Sequence, residues 1–501
     1  MLLLQKNQVA VQVSNLTKRF GSVVANDNVN LEVCYGEILA LLGENGSGKT
    51  TLMNMLSGIY KPDEGSIKIK GKEVVISAPS ESIALGIGMI HQHFKLVDIM
   101  TARENISLGK SKYIKYSIDK INKEYGFNID LDKKIYDMSV SEKQTVEILK
   151  VLVRGADILI LDEPTAVLTP QETKKLFQIL CNMKNDGKSI VIITHKLNEV
   201  MEISDRVTIL RKGKSIDTVA TCDVNPKKLT ELMVGSAIDL SIGKSDRQVG
   251  EVLLDVHKLT VKNEENVKKL NKVSFQLYEG EILGVAGVAG SGQKELCESI
   301  AGLQKVDGGS ILLDGKRIEG ISTREIIKRG VSMSFIPEDR LGMGLVGTMN
   351  LVDNMMLKNY SVQKGMFLFR KPAEKTTRRV IDRLHISTPS PFVEVKRLSG
   401  GNVQKVLLGR EIHGAPRVLI TAYPVRGLDI NSSLMIYDML VEQKNRGVGV
   451  LYIGEDLDAL IELSDRILVL CDGEVKAILD AKTTTKEEIG MYMTNAKENA
   501  V

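Results

Sequence analysis

Short apolar runs alternate with segments of helical spacing along this 501-residue chain. Three runs, 38–42, 156–161 and 189–194, are predominantly apolar over five or six positions, which is typical of strands buried on both faces. Regions 95–150 and 340–410 show more helical spacing and are predicted to form helical insertions. The pattern predicts an α/β fold around a largely parallel sheet.

The same pattern occurs twice. Gly36-Glu37-Ile38-Leu39 recurs as Gly280-Glu281-Ile282-Leu283, and glycines keep this register as far as Gly315. Farther along, Ser139 matches Ser399, so the second copy carries about 16 additional residues between Gly315 and Ser399. We therefore predict a first domain at 1–236, a polar, turn-rich linker at 237–250 and a second domain at 251–501.

Composition narrows the class of protein. Hydrophobic residues make up 43% and charged residues 26%, as in globular proteins, and the net charge of +4 does not favour nucleic acid as a partner. No apolar run approaches the roughly 18 residues of a membrane span, and the N-terminus does not resemble a signal peptide. The five cysteines are scattered, so reduced thiols are expected rather than disulfides or a zinc site.

A glycine-rich loop joins the first apolar run to a helical segment. It is predicted to be a P-loop, whose N–H groups and helix N-terminus bind phosphate. Lys49 is expected to contact the β- and γ-phosphates and the Thr50 hydroxyl to bind Mg²⁺. A glycine turn that ends in Lys-Thr by chance is the alternative, but strand, loop and helix all agree with the motif. The predicted nucleotide-binding residues are Gly43, Glu44, Asn45, Gly46, Ser47, Gly48, Lys49, Thr50 and Thr51.

Polar side chains follow the other buried strands. Asp162 is predicted to bind Mg²⁺, and Glu163 to orient the water that attacks the γ-phosphate, although two solvated acids are the alternative. His195 is predicted to sense the γ-phosphate; taken alone it would suit a core position better. Gln92 is predicted to contact Mg²⁺ or the water. Phe20 suits both adenine stacking and the core.

Together these motifs resemble the nucleotide-binding subunit of an ATP-binding-cassette (ABC) transporter. The resemblance implies two tandem P-loop cassettes, each with a mainly parallel sheet, an antiparallel β part and a helical insertion. It implies ATP and Mg²⁺ as ligands, with Thr50, Gln92 and Asp162 at the metal. It also identifies a signature motif in the second copy that contacts nucleotide: Leu398 followed by Ser399, Gly400, Gly401 and Asn402.

The two copies depart from the family pattern in opposite ways. Gln293 and Lys294 stand at the positions of Lys49 and Thr50, and the strand carboxylates and the histidine are replaced by Ala422, Tyr423 and Glu455. The first signature is degraded to Met138-Ser139-Val140-Ser141-Glu142. In the family, each ATP lies between the P-loop of one cassette and the signature of the other. The resemblance therefore implies one complete site and one degenerate site.

A fused tandem resembles the ATPase of nucleoside and simple-sugar importers, and the segment 88–97 favours the nucleoside branch, with ribose or galactose uptake as the alternative. The resemblance implies peripheral attachment to the cytoplasmic face of the membrane. It also implies a substrate-binding protein and two integral permease subunits, which follow the motion of the cassettes through grooves near Gln92 and Glu338. Because no polybasic run or lipidation motif is found, protein contacts rather than lipid are expected to hold the chain there. A ribosome- or nucleic-acid-linked tandem ATPase and a non-hydrolysing sensor are the less favoured alternatives.

Overall fold

The computed structural model describes residues 8–21, 23–92, 94–109, 117–235, 242–243, 250–335, 344–357, 360, 368–413 and 416–494. Its internal contacts divide the chain into a first unit, Met1–Leu240, and a second unit, Ser241–Val501. Most of the predicted linker at 237–250 lies outside the described residues, as do His93 and Glu338.

The first unit contains ten strands and eight α-helices among its described residues. In chain order they are β1 (Val9–Phe20), β2 (Val23–Cys34), β3 (Ile38–Leu42), α1 (Lys49–Leu56), β4 (Glu64–Ile69), β5 (Lys72–Val74), α2 (Pro79–Ala84), β6 (Ile87–Ile90), α3 (Ala102–Ser107), α4 (Ile118–Glu124), α5 (Val140–Val153), β7 (Ile158–Asp162), α6 (Pro170–Asn185), β8 (Ser189–Thr194), α7 (Leu197–Ile203), β9 (Arg206–Arg211), β10 (Lys214–Ala220) and α8 (Pro226–Val234).

Two sheets organise this unit. The larger has the order β10-β9-β3-β8-β7-β6 and is parallel except for the β9–β10 pair. The smaller has the order β2-β1-β4-β5 and is antiparallel. The predicted α/β class, with a parallel core and an antiparallel part, is confirmed.

Alternation along the buried strands explains why both faces of the large sheet are apolar. In β7, Ile158 and Ile160 pack with the antiparallel sheet and α1, whereas Leu159 and Leu161 pack with the helices of the insertion. Successive side chains of a strand point to opposite faces, so a continuous apolar run serves two cores. The strand predicted from residue 156 begins two residues later, at Ile158.

The second unit repeats the plan. Its elements are β11 (Val252–Lys262), β12 (Lys268–Tyr278), β13 (Ile282–Ala286), α9 (Gln293–Ile300), β14 (Gly308–Leu313), β15 (Lys316–Arg317), α10 (Thr323–Lys328), β16 (Val331–Phe335), α11 (Leu351–Met356), α12 (Arg370–Arg383), α13 (Gly400–His413), β17 (Val418–Ala422), α14 (Ile430–Asn445), β18 (Gly449–Ile453), α15 (Leu457–Leu463), β19 (Arg466–Cys471), β20 (Glu474–Asp480) and α16 (Lys486–Met493).

Its sheets have the orders β16-β17-β18-β13-β19-β20 and β12-β11-β14-β15, which match the first unit strand for strand. The main difference is α12, which has 14 residues where its counterpart α4 has 7, and this helix holds part of the predicted extra length. Within the described part of the chain, no helix combines the length and the apolar composition that crossing a membrane requires.

Candidate nucleotide site

The P-loop follows β3 and ends at the first residue of α1. Gly46 and Gly48 adopt left-handed backbone conformations, with φ of 79° and 100°. A Cβ on Gly48 would lie 2.5 Å from the carbonyl oxygen of Ala25, so no larger residue fits without movement of the backbone. These glycines leave a narrow cradle at the N-terminus of α1, where N–H groups point outward and favour an anion. The cradle fits a nucleotide phosphate.

Lys49 closes this loop upon itself. Its side chain is buried, with only 6% of the residue exposed, and its Nζ donates to the carbonyl oxygens of Gly43 (2.7 Å) and Glu44 (2.9 Å). Burial lowers the pKa of Lys49, an effect that the carboxylates of Glu163 and Asp162 oppose. A buried ammonium whose partners include two neutral carbonyls is well suited to gain phosphate oxygens as stronger, charged partners.

Three polar side chains meet where three neighbouring strands end. Gln92 follows β6, Glu163 follows β7 and His195 follows β8, and these strands are adjacent in the sheet. Gln92 Nε2 donates to Glu163 Oε2 (3.0 Å), and His195 Nδ1 lies 3.0 Å from Glu163 Oε1. The structure thus joins all three predicted catalytic residues in one hydrogen-bonded cluster. The core alternative for His195 is wrong, since its side chain is 47% exposed.

The pKa values of the two strand-end carboxyl groups are shifted in opposite directions. Burial and the neighbouring Glu163 charge raise the pKa of Asp162 to about 6, despite the opposing effect of Lys49. Burial also raises the pKa of Glu163, but the hydrogen bond and charge of His195, with Lys49 and Lys196, more than offset it and lower that pKa overall. Glu163 is therefore ionised at neutral pH.

Three side chains with oxygen donors lie at the end of β7, in the first turn of α1 and after β6. Asp162, Thr50 and Gln92 supply a carboxylate, a hydroxyl and an amide oxygen, which are the ligand types that Mg²⁺ takes. Gln92 uses Nε2 on Glu163, so its Oε1 is the atom left for a cation. A divalent cation would also relieve the raised pKa of Asp162, because it favours the carboxylate form. The residues fit Mg²⁺.

Phe20 lies at the end of β1 and is 43% exposed, so the core alternative is wrong for it. Its ring packs edge-on against Tyr60, with 5.1 Å between ring centroids, and Lys18 Nζ lies 5.6 Å from its centroid. An aromatic ring held at the surface by one edge contact can offer a face for stacking. Sequence reasoning missed Tyr60 and Lys196, because neither lies in a motif.

The corresponding point of the second unit is built differently. Gln293 Nε2 donates to the carbonyl oxygen of Val288 (3.1 Å), and Lys294 forms an ion pair with Glu298 (3.8 Å). Tyr423 stands where Glu163 stands in the first unit, and Arg426 lies both near its ring and 3.5 Å from Glu455. A tyrosine and an ion pair thus stand where the first unit has its hydrogen-bonded cluster of Gln92, Glu163 and His195.

The two signature helices also begin differently. Ser139, before α5, forms a capping box with Glu142: the Glu142 carboxylate accepts from the Ser139 N–H (2.7 Å) and the Ser139 hydroxyl from the Glu142 N–H (3.2 Å). Before α13, the Ser399 hydroxyl instead accepts from Asn402 Nδ2 (2.9 Å). The first helix thus holds its own carboxylate at its N-terminus, and the second presents neutral polar groups.

Comparison with known proteins agrees with these observations. The family described as ABC transporter matches residues 26–166 and 270–424. The nucleoside import ATP-binding protein NupA of Lactococcus lactis subsp. cremoris is 44% identical over 505 residues, covering 98% of this chain and 99% of the relative. The guanosine import ATP-binding protein NupO of Bacillus subtilis is 42% identical, covering 98% of each.

More distant relatives carry other names. The ribose import ATP-binding protein RbsA of Clostridium tetani is 37% identical, covering 96% of this chain and 97% of the relative. Among solved structures, an archaeal ribosome recycling factor, aABCE1, in complex with the ribosomal stalk protein aP1 aligns with a TM-score of 0.60. It covers 91% of this chain and 87% of that one at 18% identity, which supports the shared fold alone.

Proposed function

This chain belongs to the ABC transporter family, and from that premise we propose that it is the ATP-hydrolysing subunit of an importer, with its catalytic chemistry in the first unit. The hydrogen-bonded cluster of Gln92, Glu163 and His195 beside the P-loop carries this proposal. Its counterpart in the second unit has Tyr423 and Glu455 at the positions of Glu163 and His195.

Each site residue of the first unit has a distinct role in this proposal. Lys49 and the P-loop N–H groups bind the phosphates, and Phe20 stacks on the adenine. Glu163, kept ionised by His195 and Lys49, orients the attacking water and accepts its proton. When bound by Thr50, Asp162 and Gln92, Mg²⁺ would neutralise charge on the phosphates.

The second unit contributes its signature. The resemblance to the family supports a state in which Ser399, Gly400, Gly401 and Asn402 contact the γ-phosphate of ATP bound by the first unit. Neutral hydroxyl, amide and N–H donors suit that task, whereas the Glu142 carboxylate that caps α5 would repel a triphosphate.

Nucleosides are the proposed cargo. The support is that relatives named for nucleoside or guanosine import are 42–44% identical over nearly the whole chain, whereas those named for ribose import are 36–37% identical. This difference also favours nucleosides over the alternative cargo, a simple sugar. Two permease subunits and a substrate-binding protein complete the proposed importer, with this chain on the cytoplasmic face of the membrane.

Uptake measurements test the proposal. A strain without this gene is expected to lose uptake of labelled guanosine, and the wild-type gene to restore it, while Glu163→Gln does not. Tyr423→Phe is the matched control, because it changes the corresponding residue of the second unit and should restore uptake. Normal guanosine uptake with lost ribose or galactose uptake in the deletion strain would assign the chain to a sugar importer instead.

A further inference from the structure

Helix α12 presents a basic face to solvent. Its opposite face is buried in the core of the second unit through Thr377, Val380 and Leu384, so the orientation of the helix is fixed. Lys371, Lys375 and Arg379 recur every fourth residue on the outer side. We call these three residues the α12 basic face.

The positive charge of this face is offset only in small part by neighbouring acids. Lys371, Lys375 and Arg379 are exposed, and none of them forms an ion pair with another described residue. The remaining arginines of α12 are paired: Arg370 with Asp353, Arg378 with Glu374 and Arg383 with Glu442. Asp382, three residues after Arg379, is an exposed acidic residue on the same side of the helix, so this side carries these three cations and one acid. With six basic and two acidic residues, α12 has a net charge of +4.

Two large apolar side chains lie at the start of the same helix. Leu368 and Phe369 are each 60% exposed, and Phe369 is the N-cap residue of α12. A basic helical face next to exposed apolar residues is the combination that anionic membrane surfaces bind, since cations attract the lipid phosphates and apolar groups enter the interface.

The first unit offers an internal comparison. Its counterpart helix, α4, has half the length and carries two basic and two acidic residues, so its net charge is zero. The basic face is therefore not a general requirement of the fold. It is found in the second unit, on a helix that holds part of the residues by which the second copy is longer than the first.

We propose that the α12 basic face, with Leu368 and Phe369, binds the anionic phospholipid surface of the membrane. This changes the sequence-based expectation that protein contacts alone hold the chain at the membrane. A search for contiguous basic runs misses the face because its cations are spaced at four residues and are gathered only by the helix. The inference rests on the proposed function, because the importer role places this chain at a membrane. The contact itself is inferred from α12.

Vesicle binding by the purified full-length chain, without nucleotide, tests the proposal. The chain is expected to sediment with vesicles that contain a quarter phosphatidylglycerol in phosphatidylcholine, and not with pure phosphatidylcholine. Each cation near such a surface strengthens binding about fivefold, so Lys371→Gln, Lys375→Gln and Arg379→Gln together should weaken it on the order of a hundredfold. Leu368→Ser with Phe369→Ser should weaken it about tenfold.

A second triple variant controls for net charge. Lys120→Gln, Lys123→Gln and Lys227→Gln remove three exposed cations from the first unit, and binding should stay within about twofold of the wild type. Circular dichroism confirms that each variant is folded. Equal losses in both triple variants, or equal binding to neutral and anionic vesicles, would overturn the proposal.

Single-stranded RNA provides the competing ligand. Binding of RNA that the α12 variant abolishes, without binding to vesicles, would replace the lipid surface by nucleic acid and overturn the proposal. ATP hydrolysis by the same preparations separates this result from the proposed function. If the wild type hydrolyses ATP but does not bind vesicles, the proposal for α12 is overturned and the proposed function is not. If the wild type does not hydrolyse ATP, the proposed function itself is contradicted.

Discussion

Glu163 has a left-handed backbone conformation, with φ of 47°, and its N–H donates to the carbonyl oxygen of Ile193 at 2.9 Å. Tyr423, at the same point of the second unit, has φ of 55° and donates in the same way to Ile453 at 2.8 Å. A non-glycine residue in this conformation costs roughly 1 kcal/mol. Because both units keep it, the turn at the strand end is a property of the fold, and the two units differ there only in the side chain, a carboxylate in the first and a phenol in the second.

Glu163→Gln is expected to leave ATP binding intact and to slow steady-state hydrolysis by about 10²- to 10⁴-fold, because an amide cannot accept the proton of the attacking water. The measurement is the ATPase rate of the assembled complex beside the Kd for ATP. Lys49→Ala should instead weaken ATP binding itself, since it removes the cation on the phosphates.

Tyr423→Phe is the control for this change, and hydrolysis should remain near the wild-type rate. An unchanged rate in Glu163→Gln would contradict the assignment of Glu163 as the base. A large loss in Tyr423→Phe would show that the strand end of the second unit, and not only its signature, takes part in hydrolysis.

At the scale of elements, equivalent helices of the two units differ most where they begin. Helix α5 is capped by its own Glu142, which Lys133 also holds at 2.9 Å, whereas α13 begins at Gly400 after the Ser399 hydroxyl. A carboxylate held at a helix N-terminus occupies the position of an external anion. The start of α13 is therefore the one suited to phosphate.

Gly401→Asp should abolish hydrolysis, although the proposed catalytic residues lie in the first unit. Among the described residues outside its own helix and chain neighbours, a Cβ at Gly401 would approach Leu428 Cδ2 at 3.1 Å, and a shift of this side-chain end by a few tenths of an ångström should let the fold accept the change. Loss of donors to the developing phosphoryl charge typically costs about 3–4 kcal/mol, and the new carboxylate adds repulsion. The measurements are ATPase rate and thermal stability.

Ser141→Asp is the matched change in the first unit, and it should reduce hydrolysis much less, because α5 already carries Glu142 at its N-terminus. Equal losses in the two variants would mean that both sites hydrolyse ATP, or that the pairing of P-loop and signature is wrong.

An ion-pair cluster ties the start of β7 to the antiparallel sheet. Asp157 accepts from Lys70 (2.7 Å), which follows β4, and from Lys188 (2.9 Å), which precedes β8. Burial raises the pKa of Asp157, but the two lysines more than offset it, so the folded-state pKa lies below 3.8. Its contribution to stability is thus complete above pH 3.8 and lost as pH falls through the folded-state pKa.

Asp157→Asn should lower the free energy of unfolding by less than about 1 kcal/mol near neutral pH, since the pair is partly exposed. The difference from the wild type should shrink as the pH falls from about 5 to 3. Urea titrations at several pH values measure it, and a difference that grows on acidification would contradict the assignment.

Continuous apolar runs and motif spacing predicted most of the elements that form the site. The run at 189–194 coincides with β8, and the P-loop and strand-end residues lie where parallel strands should end. The helical spacing of 340–410 predicted a helical insertion there, but the sequence could not give the bounds of α12, because the first copy has no helix of that length to compare with it. Nor could it predict the Glu142 capping box: a degraded signature shows what is missing, not what takes its place.

At the scale of the whole molecule, two units of the same topology carry different side chains at equivalent points. The first holds Lys49 and the Glu163 cluster, and the second holds Gln293 and Tyr423. Nucleotide should therefore stabilise the two units unequally, because a ligand stabilises the folded state of the unit that binds it.

Scanning calorimetry of the full-length chain tests this difference. A non-hydrolysable ATP analogue at a hundred times its Kd should stabilise the transition of the first unit by about 2.7 kcal/mol. Lys49→Ala should abolish that shift, and Gln293→Ala should leave it unchanged. A shift that Gln293→Ala removes and Lys49→Ala keeps would place the nucleotide in the second unit.

The pairing of Arg426 with Glu455 beside Tyr423 means that a single substitution would not rebuild the arrangement of the first unit in the second. A carboxylate restored at Tyr423 would lie near Glu455 and compete for Arg426, while Gln293 and Ala422 would still offer neither the phosphate cation nor the metal ligand. A second hydrolysing site would therefore need coordinated changes at Gln293, Ala422, Tyr423 and Glu455, four positions drawn from three separate segments of the chain.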